Sequence, residues 1–229
     1  ELAKAGANIV INYKNDVIGA ETTKKIIENI SGITPKIFKA DVSIYTEANN
    51  LINFAIKKFG KVDILVNNAG ISKIGLLIDM TEEDFDNIFN SNVKSTFNCT
   101  HCVLKYMLAQ KSGAIINISS MWGNTGASCE AIYSASKGAV NLFTSSLAKE
   151  MGPSNIRVNA IAPGVINTVM NDALSSEEKE CLKNEIPLMR FGEIEDIGKC
   201  AVFLSGEGSS YITGQIIDRK STRLNSSHP

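Results

Sequence analysis

A tyrosine and a lysine four residues apart are the side chains of this sequence best suited to proton transfer. Tyr133 and Lys137 occur in the run Tyr-Ser-Ala-Ser-Lys, within a stretch that has helical patterning. Residues at positions i and i+4 share one face of a helix, so both side chains reach a common group. A free phenol has a pKa near ~10, and a nearby ammonium lowers that pKa by roughly one to three units. The spacing predicts a general acid/base at Tyr133 tuned by Lys137, although a solvent-exposed Tyr–Lys pair has the same spacing.

Two further polar segments follow apolar runs of the chain. Ser120 comes shortly after Ala114–Ile118, and Asn67-Asn68-Ala69-Gly70 comes directly after Val62–Val66. The Ser120 hydroxyl suits a hydrogen bond to a substrate oxygen during proton transfer. Amides and small residues suit a turn that approaches a ligand closely, although an ordinary strand-to-helix turn uses the same residues.

These segments require a scaffold that brings the ends of separate strands together. Short apolar runs alternate with helical patterns, which is typical of an α/β fold whose strands are buried on both faces. The predicted strands are Asn8–Tyr13, Lys36–Ala40, Val62–Val66, Ala114–Ile118, Ile156–Ala160 and Gln215–Ile217. The predicted helices are Glu21–Ile30, Thr46–Phe59, Glu82–Val93, Ser95–Gln110, Ala131–Met151, Glu177–Asn184 and Glu193–Leu204. We expect one domain with a single doubly wound, Rossmann-type parallel sheet and helices on both faces. Ligands of such sheets bind beyond the carboxyl ends of the strands.

The order of these motifs resembles the short-chain dehydrogenase/reductase family over about residues 1–218. The resemblance is carried by Asn67-Asn68-Ala69-Gly70, Asn92, Ser120, Tyr133-x-x-x-Lys137 and Pro163-Gly164. It implies hydride transfer between a nicotinamide cofactor and a carbonyl or alcohol. It also implies that Tyr133 is the catalytic acid/base and that Ser120 orients the carbonyl. By the same resemblance, Lys137 lowers the Tyr133 pKa and binds the nicotinamide ribose, and Asn92 holds a water of a proton relay.

The family resemblance also implies a cofactor site. Its residues, besides Tyr133 and Lys137, are Asn68, Ala69, Gly70, Asp41, Val42, Pro163, Gly164, Thr168 and Tyr13. Asp41 and Val42 match the pair beside the adenine, and the segment from Pro163 to Thr168 matches the one that packs on the nicotinamide. The second strand of NAD-preferring relatives usually ends in an acidic residue. Here it ends Asn12-Tyr13-Lys14, which favours NADP(H) over NAD(H).

Both ends of the sequence depart from the family pattern. Residues 1–6 resemble the end of the helix that follows the family's glycine-rich turn, so we expect the first strand and that turn to be missing. We therefore expect weak folding and poor dinucleotide binding from the chain as it stands. Residues 219–229 change abruptly to a polar composition rich in Ser, Arg and Asn, so we expect a domain over 1–218 followed by an artefactual tail.

The residues of the loop Met121–Glu130 narrow the range of candidate substrates. Overall the chain resembles 3-oxoacyl-acyl-carrier-protein reductases, which implies a 3-oxoacyl thioester. Trp122 and Glu130 are unlike the usual version of that loop, which is similar here to reductases of the 5-aminopentanone modification on elongation factor P. Glu130 would pair with that amine; alternatively, Trp122 only packs and Glu130 faces solvent. Other sugar, steroid or small-ketone substrates stay open, as does an inactive truncated nucleotide-binding remnant.

Composition bounds the partners and the compartment. The chain has 23 basic and 24 acidic residues, so it lacks the basic excess of nucleic-acid-binding proteins. No apolar run approaches the ~20 residues that span a bilayer, so we expect no membrane partner. Five scattered cysteines do not suggest a disulfide framework, which favours the cytoplasm. Cys99 and Cys102 flank His101, but no second ligand pair lies nearby, and we expect buried thiols and no metal site.

Two predictions concern assembly and motion. By the family resemblance, helices Ser95–Gln110 and Ala131–Met151 form the contacts of a homotetramer. The charged segment Asn171–Glu185 is the candidate for a lid over the substrate.

Overall fold

The computed structural model describes residues 1–168 and 175–219 as an α/β fold. The strands are Val10–Tyr13 (β1), Lys36–Lys39 (β2), Ile64–Asn67 (β3), Gly113–Ile118 (β4), Ile156–Pro163 (β5) and Ile216–Arg219 (β6). The helices are Val17–Ser31 (α1), Tyr45–Phe59 (α2), Glu82–Phe89 (α3), Ser95–Gln110 (α4), Trp122–Thr125 (α5), Ala131–Met151 (α6), Ser176–Glu185 (α7) and Ile194–Ser205 (α8). Every predicted strand and helix is present, with ends shifted by a few residues. The predicted tail was 219–229, but Arg219 is the last residue of β6. Residues 220–229 and residues 171–174 of the predicted lid lie outside the described residues.

All strand pairs are parallel, as the alternation of strands and helices predicts. β1 pairs with β2, and β3 to β6 form a second ladder in the order β3-β4-β5-β6. In this ladder Asn67 lies beside Asn117, and Asn117 lies beside Ala160. The carboxyl ends of β3, β4 and β5 therefore reach one edge of the sheet together, which places the motifs that follow them side by side.

Helices cover both faces of the larger sheet. Ile115 of β4 packs in a cluster with Val103 of α4 and Leu147 of α6. Ile116, the next residue, packs with Leu204 of α8. Successive strand residues point to opposite faces, so α4 and α6 lie on one side of the sheet and α8 on the other.

A cavity separates the two strand ladders. It has a volume of about 660 Å³ and is lined by Val10 and Asn12 of β1 and by all four residues of β3. Asn68 and Ala69 line it near the carboxyl end of β3.

Helix starts follow local capping chemistry. The Asp16 side chain accepts a hydrogen bond from the backbone N–H of Gly19 and begins α1, four residues earlier than the apolar spacing predicts. Thr81 and Asp84 form a reciprocal capping box at the start of α3.

The end of α3 differs from the sequence prediction. The helix was expected to run to Val93, but residues Asn90–Lys94 form a π-helical turn that leads directly into α4. Such turns insert an extra residue into a helix and are frequent at functional sites. Asn92 lies in the middle of it. Within the described residues, no helix is long and apolar enough to cross a membrane.

Candidate active site

Tyr133 lies near the start of α6 and is largely buried. Burial raises the pKa of its phenol above the usual value, a hydrogen bond with Ser120 lowers it, and the negative charge of Glu130 raises it. The net direction is upward. This net direction is opposite to the predicted lowering, because burial is the largest effect and the Lys137 ammonium is not among the groups that shift this pKa. The phenol is therefore protonated at neutral pH and can donate a proton, although the raised pKa makes it a weaker acid than a free phenol.

Lys137 is a buried cation one helical turn after Tyr133. Its side chain is 4% exposed, and its Nζ donates a hydrogen bond to the backbone carbonyl of Ile118 at 2.8 Å. The same Nζ lies 5.7 Å from the centre of the Tyr133 ring. Burial lowers the pKa of Lys137 to about 8. The helical spacing thus brings the two side chains together, as predicted.

Ser120 is fixed by contacts that extend the pairing of β4 and β5. Ser119 donates its backbone N–H to Ile161 at 2.7 Å, and Met121 donates to Pro163 at 3.0 Å. The Ser120 hydroxyl oxygen accepts the backbone N–H of Trp122 at 3.2 Å. Ser120 is thereby held at the strand end, within hydrogen-bond reach of Tyr133.

Asn92 reaches the same centre from the π-helical turn. Its Oδ1 accepts the backbone N–H of Ile71 at 2.7 Å, and its Nδ2 donates to the Ile71 carbonyl at 2.9 Å. Its Nδ2 also donates to the Ser136 hydroxyl at 2.9 Å. The backbone carbonyl of Asn92 accepts the Thr96 hydroxyl at 2.9 Å. The Asn92 side chain therefore connects the loop after β3 to α6. Its role in holding a water stays a prediction.

Gly70 fills the space between Asn92 and Lys137. A Cβ atom at this position would lie 3.1 Å from Asn92 Oδ1 and 3.2 Å from Lys137 Nζ. Only glycine leaves this approach uncrowded, because most side chains need larger separations. Asn67, three residues earlier, donates to Thr100 Oγ1 at 3.0 Å and to Asn117 Oδ1 at 2.8 Å, which fixes the start of the turn.

The predicted adenine side lies at the ends of β1 and β2. Lys14 Nζ, next to Tyr13, lies 2.7 Å from Asp41 Oδ2. Burial raises the pKa of Asp41, but Lys14 and Ser43 together lower it by more, so the pKa lies below its usual value. The Asn98 side chain donates to the backbone carbonyls of Val42 and Ser43 at 3.0 Å each and holds this turn against α4.

The segment after β5 is tied to a later turn. Gly192 donates its backbone N–H to Val165 at 3.0 Å, and Asn167 donates to Gly192 at 2.8 Å. Pro163 adjoins the Ser120 turn through Met121. Gly164 follows it, and Thr168, which is exposed, donates its hydroxyl to the Ile166 carbonyl at 3.5 Å.

The predicted substrate loop, Met121–Glu130, has contacts that the sequence did not indicate. Glu130 Oε1 accepts the Ser72 hydroxyl at 2.6 Å, and Gly75 donates its backbone N–H to the Cys129 carbonyl at 2.8 Å. These two bonds join the loop after β3 to the loop before α6. Glu130 is thus half-buried and held in a hydrogen bond, and its charge raises the Tyr133 pKa, so it does not simply face solvent. No sequence signal points to Ser72 or to Asn98, since both act across long chain separations.

The remaining candidate cluster contains the thiols of α4. Cys99 and Cys102 are both buried and free, as expected, and burial raises the pKa of Cys99 to about 12. A thiol with such a pKa is a poor nucleophile and metal ligand. The described part of the chain contains no group of three or more His, Cys, Asp or Glu residues that could hold a metal ion.

The chain is similar to known proteins over nearly its whole length. A family model described as enoyl-(acyl carrier protein) reductase matches residues 1–219. The chain is 40% identical over 219 residues to the 3-oxoacyl-[acyl-carrier-protein] reductase FabG of Staphylococcus aureus, which covers 95% of this chain and 88% of that protein.

Solved structures give the same picture. A protein described as a short-chain alcohol dehydrogenase from Sinorhizobium meliloti superimposes with a TM-score of 0.89 at 35% identity, over 95% of this chain and 86% of that one. An NAD⁺-bound xylitol dehydrogenase superimposes with a TM-score of 0.87 at 28% identity, over 95% and 90%.

Proposed function

Since the chain belongs to the short-chain dehydrogenase/reductase family of NAD(P)-dependent oxidoreductases, we propose that it is an NADPH-dependent reductase of 3-oxoacyl thioesters. The observation that carries this proposal is the convergence of Ser120, Tyr133 and Lys137 at one sheet edge. Two polar donors and a buried cation meet there, which is what reduction of a carbonyl to an alcohol requires of a protein.

The residues present fit a nicotinamide cofactor. Asn68, Ala69 and Gly70 are exposed after the carboxyl end of β3, and a Cβ atom at Gly70 would crowd Asn92 Oδ1 and Lys137 Nζ. Asp41 and Val42 would flank the adenine, Pro163, Gly164 and Thr168 would border the nicotinamide, and Lys137 would bind its ribose. When bound, the cofactor supplies the hydride that the carbonyl carbon accepts.

The protein's own part in the reaction is to manage the oxygen of the carbonyl. The Ser120 hydroxyl, whose oxygen already accepts the Trp122 N–H, directs its hydrogen toward that oxygen. Tyr133 donates the proton as negative charge develops there. The positive charge of Lys137 stabilises the phenolate that remains, and the Ile118 carbonyl holds this ammonium in place.

We favour NADP(H) as the cofactor because Lys14, beside Tyr13, is a cation at the end of β1. Its ammonium is paired with Asp41, so a 2′-phosphate would share it with that carboxylate. The NAD⁺-bound xylitol dehydrogenase shows that a structural relative uses the other cofactor. The ratio of NADPH to NADH affinities tests this choice.

A second candidate substrate is favoured by the Ser72–Glu130 hydrogen bond. It holds a carboxylate at the mouth of the site, where it acts on the Tyr133 pKa. A ketone that bears an amine, as in the 5-aminopentanone modification of elongation factor P, would pair its ammonium with Glu130. The likeness to the staphylococcal 3-oxoacyl-[acyl-carrier-protein] reductase favours the thioester as the first choice.

Comparing the rates with different substrates decides between the thioester and the aminoketone. NADPH consumption is measured with an acetoacetyl thioester, with an aminoketone, and with a neutral ketone of the same chain length. We expect the thioester to give the highest kcat/KM and Glu130→Gln to change it little. A preference for the aminoketone that Glu130→Gln lowers by roughly 10- to 100-fold would establish the second substrate, since hydrogen bonds to charged groups contribute ~1.5–3 kcal/mol.

The assay uses the 229-residue chain and a version that carries a family-like strand and glycine-rich turn before Glu1. A thermal shift with NADPH is recorded for both. Binding without turnover of any carbonyl would contradict a reductase. Absence of both binding and turnover from the extended version would indicate an inactive remnant.

We further propose a cytoplasmic homotetramer. All five cysteines are free, which suits a reducing compartment. Phe97 and Leu108 of α4 and Leu142 of α6 are exposed apolar residues on the two helices expected to associate. Beside them lies an apolar groove lined by Phe89, Val93, Phe97, Val140 and Phe143. Light scattering that gives four times the mass of one chain would support the tetramer, and a monomer would contradict it.

A further inference from the structure

A buried serine connects the catalytic helix to the loop after β3. Ser136 is fully buried on α6, three residues after Tyr133 and one before Lys137. Its hydroxyl oxygen accepts a hydrogen bond from Asn92 Nδ2 at 2.9 Å. The hydroxyl in turn donates to the backbone carbonyl of Tyr133 at 2.7 Å. The donor of this hydroxyl and one of its acceptor positions are therefore used in the immediate surroundings of the acid/base.

The contacts of Asn92 continue this connection. Its amide clasps both backbone groups of Ile71, the residue after Gly70. The path from the cofactor-side turn to the catalytic helix thus runs from Ile71 through Asn92 and Ser136 to Tyr133. Every polar atom of the Asn92 side chain is occupied, so loss of the Ser136 hydroxyl would leave one N–H of a buried amide without its acceptor.

We infer that Ser136 is a positioning residue, which fixes the rotation of α6 and so aligns Tyr133 and Lys137 with Ser120. This inference rests on the proposed function, because it assigns a further residue to the same site. A helix with its side chains has a radius of about 5–6 Å, so a rotation of about 10° moves its outer atoms by about 1 Å. A displacement of about 1 Å costs on the order of 10²-fold in rate.

Farther from Lys137, Ser134 Oγ accepts the Ala127 N–H at 3.1 Å, and Thr144 Oγ1 accepts Asn117 Nδ2 at 2.8 Å. The other bonds near Lys137 lead to the end of β4. Lys137 Nζ is bound to the Ile118 carbonyl, and Ser119 Oγ donates to the Lys137 backbone carbonyl at 3.3 Å. Both tie α6 to the end of β4. The Ser136 bond ties it to the π-helical turn and the loop after β3, from a different direction. Ser136 thus attaches the turn of α6 that carries Tyr133 and Lys137 to a second segment of the site.

The test compares Ser136→Ala with Ser145→Ala. Ser145 lies on the same helix and also donates its hydroxyl to a backbone carbonyl, that of Gly214 at 3.3 Å, away from the site. We expect Ser136→Ala to lower kcat per folded molecule by about 10- to 100-fold, with KM for NADPH within about threefold of the unchanged protein. Ser145→Ala should keep kcat within about threefold.

A second measurement does not depend on turnover. The pKa of Lys137 is followed by NMR of ¹³C-labelled lysine side chains in both variants. A rotated helix admits water to the ammonium, so Ser136→Ala should raise this pKa from about 8 by half a unit or more. Ser145→Ala should leave it unchanged.

The outcomes separate this inference from the proposed function. If no carbonyl is reduced, the proposed function fails, while the NMR comparison still decides the role of Ser136. If Ser136→Ala only lowers the melting temperature, with kcat per folded molecule and the Lys137 pKa equal to those of Ser145→Ala, the hydroxyl is structural and the inference is overturned.

Discussion

Replacing Lys137 by methionine should change how the stability of the protein depends on pH. The pKa of the buried ammonium is lowered by desolvation from 10.5 to about 8. Between these two values the unfolded chain holds a proton at this position that the folded chain has released. Stability due to this group is therefore lowest below pH 8 and rises as the pH approaches 10.5. One pKa unit corresponds to ~1.36 kcal/mol, so about 2–3 kcal/mol of unfolding free energy should be regained between about pH 7 and pH 10.

The Lys137→Met variant lacks this titration. At neutral pH, removal of the buried charge should offset the loss of the hydrogen bond to Ile118. The unfolding free energy of the variant, relative to that of the unchanged protein, should then fall by about 2–3 kcal/mol by about pH 10. Urea unfolding at several pH values, followed by circular dichroism, measures both curves. Lys149→Met, at the exposed end of the same helix, is the matched control and should run parallel to the unchanged protein. Parallel curves for Lys137→Met as well would refute the buried-ammonium reasoning.

Two further substitutions test the cofactor side. Asp41→Asn releases Lys14 and removes a negative charge, so the ratio of NADPH affinity to NADH affinity should rise about two- to fivefold, as calorimetry would show. An unchanged or lower ratio would mean that Lys14 does not bind the 2′-phosphate. Gly70→Ala places a Cβ 3.1 Å from Asn92 Oδ1, so we expect about 1–3 kcal/mol lower stability in urea and weaker cofactor binding. Gly152→Ala, whose Cβ meets nothing within 4 Å, should be neutral or stabilising, and equal effects of the two would contradict the crowding argument.

The order of strands and helices could be predicted from the sequence because it depends on local patterns. Apolar runs predicted every strand, and the parallel ladder then placed the ends of β3, β4 and β5 side by side. The convergence of Ser120, Tyr133 and Lys137 follows from that topology together with helical spacing. The motifs were therefore visible both as local chemistry and as a consequence of the fold.

What the sequence missed depends on packing over long chain separations. Asn98 and Ser72 act on turns 55 and 58 residues away, and nothing near them in sequence indicates those partners. The π-helical turn at Asn90–Lys94 has no residue signature of its own. It accompanies the clasp of Asn92 on Ile71, a tertiary contact.

The pKa of Tyr133 shows the same limit in electrostatic form. From sequence alone, an ammonium four residues away predicts a lowered pKa. The structure adds desolvation and the charge of Glu130, and the direction reverses. A charge pair can be read from spacing, whereas burial depends on the whole fold.

The central claim is that Tyr133 donates the proton to a carbonyl that Ser120 holds. It is tested most directly by NADPH consumption with an acetoacetyl thioester, in the extended protein and in its Tyr133→Phe variant, with NADPH binding measured in parallel. General acid catalysis contributes ~10²–10⁴-fold, so the variant should bind NADPH normally and turn over at least about a hundredfold more slowly. Turnover by Tyr133→Phe at the rate of the unchanged protein would contradict the account.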